Sequence, residues 1–194
     1  TGTWRNASDG RTAKSTSTNR VDGNEVLPDQ ETDWVRSDSA EASQNYEQLK
    51  KIAGIVGQWE MSGAWEDGTP FQGEESTEWC LNDNFLRSSG WFKNHDGERV
   101  DYHIVTGWDP SSKQIVEWFS ASNGGHSKRV GTWEAKSKAW DSHETGVDAD
   151  GKEFSFDVSM TMLDENTWSW VGTNFQGQEK LPDLKFKFRR VGTR

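Results

Sequence analysis

A chain of 194 residues with a formal net charge of −10 lacks the cationic surface that nucleic acid or an anionic membrane requires. No apolar run reaches the ~18 residues of a membrane-spanning helix. The hydrophobic fraction is only 31%, but 12 Trp and 9 Phe make an aromatic core possible, and 19 Gly with only 4 Pro reads as all-β with tight turns.

Residues 1–44 are polar and rich in Ser, Thr, Asn and Asp, the composition of an extended or disordered arm. They also contain an echo of the chain's end. Gly23-Asn24-Glu25-Val26-Leu27-Pro28-Asp29 matches Gly177-Gln178-Glu179-Lys180-Leu181-Pro182-Asp183 at five of seven positions, 154 residues apart. Trp34 and Arg36 follow the first copy as Phe188 and Arg190 follow the second. Chance is one reading of so short a match; the other is the tail of an upstream repeat, or an arm that mimics the final strand. The first residue is Thr and no leader pattern is visible, which predicts a processed or trimmed chain. Cys80, the one cysteine, excludes an internal disulfide and any Cys-based zinc cage, and says little about compartment.

Tyr46, Leu49, Ile52 and Ala53 fall at helical spacing, which predicts a short amphipathic helix over 45–55, capped by Asn45 with Gln48, that plugs one end of a barrel built from the strands after it. From residue 56 the period changes to two. Val100, Tyr102, Ile104 and Thr106 share a face, as do Phe154, Phe156, Val158, Met160 and Met162, and then Leu184, Phe186, Phe188 and Arg190. Turn signals at Asp67-Gly68, Asp96-Gly97, Asp109-Pro110, Asn123-Gly124-Gly125, Asp150-Gly151 and Asp164-Glu165-Asn166 separate the segments. The pattern predicts strands near 56–65, 70–80, 84–94, 99–107, 113–121, 126–134, 138–145, 152–162, 167–174 and 183–191. Hairpins without intervening helices make an up-and-down meander, and about ten strands close into a barrel to remove exposed edges. The expected division is an arm over 1–44 and an antiparallel β-barrel over 45–194.

Gly57-Gln58-Trp59 opens the first barrel strand and Arg190 ends the last. Together with Tyr46-Glu47-x-Leu49, Val56, Gly107-Trp108-Asp109-Pro110, Gly131-Thr132-Trp133, Asp150-Gly151, Thr167-Trp168 and the Gly177 to Asp183 segment, they make residues 43–191 resemble a lipocalin-like, calycin-type family of bacterial barrel domains of unknown function, often found after a nuclear-transport-factor-2-like domain. The resemblance covers about three quarters of the chain. It implies that Gly57, Trp59 and Arg190 close the barrel base by a cation–π contact, and it implies no chemistry.

His95, His103, His126 and His143 form no paired-ligand spacing, so no metal is expected. The related nitrobindin barrels hold haem through a His near the C-terminus, and the last two strands here contain none, so no cofactor is expected either. No nucleophile elbow or phosphate loop is present, and no catalytic residue is assigned. Glu75 shares a face with Phe71, Gly73, Thr77 and Trp79. An inward Glu75 is a buried acid, the polar anchor of a ligand cavity, or the partner of an interior Arg. Glu75, Trp79, Ser88, Tyr102 and Met160 are the candidate ligand-binding residues. Alternation places Trp59, Trp65, Trp79, Trp168 and Trp170 inside and Trp91, Trp118 and Trp133 outside, where they offer a partner surface or an aromatic platform of the carbohydrate-binding kind. The sequence reads as a non-enzymatic barrel that binds a small apolar or amphipathic ligand, or a second protein copy through its outer aromatics or residues 1–36. The alternative is an enzyme with Glu75 as acid/base in the barrel cavity. An interior of more than ~300 Å³ with a polar anchor separates a binding or catalytic role from a structural one.

Overall fold

The structure is a computed structural model that describes residues 2–6, 12–17, 30–35, 43–176, 179–180 and 182–192. The chain divides into two units, Thr1–Glu41 and Ala42–Arg194.

In the first unit, β1 (Gly2–Asn6), β2 (Thr12–Ser17) and β3 (Gln30–Val35) form a three-stranded antiparallel sheet in the order β1-β2-β3. The Gly23 to Asp29 segment, Arg36, and Gly177, Gln178 and Leu181 of its counterpart lie outside the described residues.

The second unit opens with α1 (Gln44–Leu49) and a 3₁₀ turn, Ala53–Ile55. The helix is shorter than the spacing predicts. Its cap is Ser43 rather than Asn45: the Ser43 Oγ accepts the Tyr46 N–H at 3.1 Å. The chain leaves the helix after Leu49 in order to bury Ile52 and pass Gly54 against Met162 and Trp168. The strands in chain order are β4 (Gly57–Ala64), β5 (Pro70–Cys80), β6 (Phe85–Lys93), β7 (Arg99–Asp109), β8 (Gln114–Ala121), β9 (His126–Glu134), β10 (Ala139–Val147), β11 (Glu153–Asp164), β12 (Thr167–Gln176), the two-residue β13 (Glu179–Lys180) and β14 (Leu184–Arg190). Each strand from β4 to β12 pairs antiparallel with the next, β12 pairs with β14, and β14 returns to β4. The result is a closed, up-and-down, ten-stranded antiparallel β-barrel. Closure leaves no edge for another chain to template.

The first unit's ladders repeat those of the barrel's closing strands. Adding 155 to each β2 residue and 154 to each β3 residue turns Thr12↔Val35 into Thr167↔Arg189 and Ser17↔Gln30 into Gly172↔Leu184, and all the pairs between convert likewise. Adding 156 to β1 turns Gly2↔Ser17 into Val158↔Gly172 and Asn6↔Ala13 into Met162↔Trp168. The change from 155 to 154 is one extra residue between Thr18-Asn19 and Gly23, relative to Thr173-Asn174 and Gly177. The echo in sequence is therefore also an echo in register.

The barrel interior has two levels. At the base, Leu49 and Ile52 are buried with Trp59, Leu86, Ile115, Trp140, Val158, Met160 and Trp168. Leu49 of α1 and Ile52 just after it thus seal this end with apolar side chains. Arg190 Cζ lies 4.2 Å from the Trp59 ring centroid, and its Nη1 and Nη2 donate to the carbonyls of Val56 and Gly54, both at 2.7 Å. Trp59, 2% exposed, donates its indole N–H to the Ile55 carbonyl at 2.6 Å. Gly57 has φ +136, and a Cβ there would meet Arg190 Nη1 at 2.1 Å. The guanidinium fills the space that any side chain at 57 needs. Toward the other end, Met61, Phe71 and Tyr102 form a second cluster with Trp65, Phe92, Ile104, Phe119, Phe186 and Phe188 around them.

Candidate functional site

A cavity of about 250 Å³ lies within the barrel between these levels. Of the candidate ligand residues, Glu75, Ser88, Tyr102 and Met160 line it. Trp79 does not. It faces inward as alternation requires, but packs on the base cluster and stands 5.1 Å from the Tyr46 ring of α1.

Register explains how the polar end of the cavity is built. Glu75 pairs with Gly90, and Gly90 pairs with Tyr102. The middle strand contributes no side chain at that row, so the Tyr102 phenol lies across Gly90 and donates to Glu75 Oε2 at 2.7 Å. A Cβ at Gly90 would stand 2.8 Å from the Tyr102 hydroxyl. On the other carboxylate oxygen, Thr77 Oγ1 donates to Glu75 Oε1 at 3.0 Å, and Ser88 Oγ lies 2.6 Å from Thr77 Oγ1. Glu75 makes no ion pair among the described residues; hydroxyls hold it, in place of the interior Arg that was one sequence expectation. Burial lifts its carboxyl above the ordinary value, and the nearby Glu117 adds to this; the hydroxyls of Tyr102 and Thr77 and the Arg129 charge pull the other way without cancelling it. The Tyr102 phenol is held well above its usual range by burial and by Glu75.

A second polar row crosses the neighbouring strands. Thr106 pairs with Glu117, Glu117 with Arg129, and Arg129 with Glu144. Arg129 and Glu117 form an ion pair at 2.5 Å with side chains 6% and 10% exposed. Thr106 Oγ1 donates to Glu117 at 3.2 Å, and Ser127 Oγ donates to Glu144 at 2.6 Å. The Arg129 guanidinium lies 4.3 Å from the Trp140 ring centroid, a second cation–π contact like that at the base. Glu117, Arg129 and Glu144 line the cavity and were not singled out from the sequence. Their signal was present: Glu117 alternates with Ile115 and Phe119 on one apolar face, the same irregularity that drew attention to Glu75.

Most of the remaining wall is aromatic, with Met61, Ile104, Met160 and Leu184 between the rings. Phe71 and Phe186 stack at 3.9 Å, Trp170 and Phe186 at 5.0 Å, and Tyr102 stands 5.9 Å from Phe92 and 5.5 Å from Phe119. A larger hollow of about 1110 Å³, lined by Trp118, His126, Lys128 and Lys152 among others, shares only Phe154 with this cavity. It carries no comparable set of buried, convergent polar groups.

The outer aromatics differ from expectation in one case. Trp118 is 45% exposed. Trp91 faces out but is covered, with Arg99 5.0 Å over its ring and its N–H on Glu74. Trp133 points inward: it lies on the face of buried Arg129 and Gly131 and packs 6.4 Å from Trp168. The histidines lie at the surface, His143 bonded to Asp157 at 2.8 Å and Ser155 at 3.0 Å, and His95 tilted against the Trp65 ring at 4.5 Å.

No protein-family model and no curated protein matches the chain by sequence. Solved structures do match by shape. Rv2717c from M. tuberculosis superposes with a TM-score of 0.54 at 15% identity, covering 74% of this chain and 97% of that one. A redesigned β-barrel, mFAP0, bound to DFHBI, superposes with a TM-score of 0.42 at 12% identity, over 71% of this chain and 99% of that one. The likeness to Rv2717c shows a shared barrel fold.

Proposed function

We propose that this protein is a lipocalin-like binding barrel that takes a small amphipathic molecule into its interior. The observation that carries the reading is Glu75: a carboxylate inside an aromatic-walled cavity, oriented by Tyr102 and Thr77 and with no ion-pair partner among the described residues. A purely structural core has no use for such a group, because burying it costs stability. At about 250 Å³ the cavity falls short of the ~300 Å³ expected above of a binding interior and of drug-sized ligand sites, so the reading rests on the polar anchor and on a smaller occupant. An apolar cavity of ~150 Å³ accepts benzene, so the occupant here is one ring with a short substituent, or two fused rings. Propylbenzene is a suitable probe. It should raise the unfolding temperature of the full chain and leave that of Ile104→Trp, in which the cavity is filled, unchanged. No shift in the wild type counts against the reading.

The lifted Glu75 carboxyl also favours a second reading, an enzyme with Glu75 as acid/base. That reading requires turnover that Glu75→Gln abolishes, whereas binding alone returns the ligand unaltered.

The N-terminal sheet supports an assembly role. Its order and register are those of a barrel's closing strands, while β1 and β3 are edges among the described residues. A sheet of this kind adds to another barrel-plan sheet, from an upstream repeat or a neighbouring copy.

A further inference from the structure

We infer that the ligand of the barrel carries a protonated amine and that Glu75 receives it; this rests on the binding-barrel reading above. The cavity lining holds three carboxyl groups, Glu75, Glu117 and Glu144, against one guanidinium, Arg129. Arg129 is engaged by Glu117 and stacked on Trp140. Glu144 takes the Ser127 hydroxyl. Glu75 and Glu144 are thus the carboxyls held by hydroxyls rather than by an ion pair among the described residues, and Glu75 is the one fixed on both oxygens, by Thr77 and Tyr102. Each of its oxygens accepts one hydroxyl hydrogen, which leaves acceptor capacity on both. An ammonium group donates up to three hydrogens and accepts none, so it matches that capacity and offsets the excess negative charge. The rings of Tyr102, Phe92 and Phe119 stand close to one another in the cavity wall, and aromatic rings beside a bound cation add to its attraction. A ligand carboxylate would instead meet Glu75, Glu117 and Glu144, against Arg129, whose Nη2 is already on Glu117 and whose Nε offers a single buried N–H without a hydrogen-bond partner. The apolar body of the amine then lies among Phe71, Phe186 and Trp170, and the volume limits it to a small arylalkyl or bicyclic group.

Three probes of one shape test this by titration calorimetry on the full chain near neutral pH: 2-phenylethylamine, 3-phenylpropionate and propylbenzene. Hydration disfavours transfer of the amine relative to the hydrocarbon, so a preference for it reports a specific partner. The amine should bind about tenfold or more tighter than either of the others, the size of one charge-assisted hydrogen bond. In Glu75→Gln that advantage should disappear while propylbenzene binding is kept. Binding of propylbenzene or phenylpropionate as tight as that of the amine overturns the inference and leaves the binding barrel standing. Failure of every probe to bind overturns the binding barrel itself. If Glu75→Gln loses the wild-type near-ultraviolet circular dichroism, the ranking of the three probes on the wild type decides the matter.

Discussion

At the scale of single residues, the base holds the Trp59–Arg190 contact and the cavity holds the buried carboxyl group of Glu75. Trp59→Ala removes a large buried ring and leaves Arg190 without its π partner, so it should cost about 3–5 kcal/mol in urea unfolding; a loss below about 1 kcal/mol would mean the base does not depend on this contact. Gly90→Ala should cost about 1–3 kcal/mol, because its methyl group meets both the Glu74 carbonyl and the Tyr102 hydroxyl. Glu75 makes the pH dependence informative. Its folded carboxyl titrates above the ordinary value of 4.5. In the window between those two values the folded protein keeps a proton that the unfolded chain has released. Stability therefore falls as pH rises through that window, and the full loss is reached above the folded value. Glu75→Gln cannot titrate. Its stability relative to wild type should increase as pH goes from about 4 to about 8 in urea titrations. Glu117, also lifted by burial, is present in both proteins and cancels to first order. A difference independent of pH would show that Glu75 is not a desolvated acid.

At the scale of elements, period-two alternation located every long strand of the barrel, because each strand has one face inside and one in water. Helix α1 was less legible. Six residues hold too few turns for a spacing pattern to fix its ends, and a cap at Ser43 depends on backbone angles that composition does not reveal. Ser43→Ala should cost about 1 kcal/mol, read from urea unfolding, with Asn45→Ala near neutral. The candidate site was legible in part. Glu75, Ser88 and Tyr102 stood out or alternated inward, but their union depends on the row Glu75–Gly90–Tyr102, and cross-strand register is not written within one strand. Trp79 was inward yet one level too low. Trp133 was assigned outward although Arg129 and Gly131 share its face; a charged residue at 129 disguised the apolar side of that strand.

At the scale of the whole molecule, the chain holds both a complete barrel and a sheet that repeats a barrel's last three strands in order and register. The barrel closes on itself through β14 and β4. Deleting residues 1–36 should leave near-ultraviolet circular dichroism unchanged and reduce self-association in sedimentation; unfolding of the truncated protein would contradict this division of the chain. If the barrel interior receives a small molecule, as proposed, a native mass spectrum of the protein purified from its source will show it, since the spectrum reports bound mass and copy number together. The expected result is one small-molecule adduct per barrel, lost on collisional activation. A spectrum showing only the bare chain or its oligomers at the gentlest conditions would contradict it.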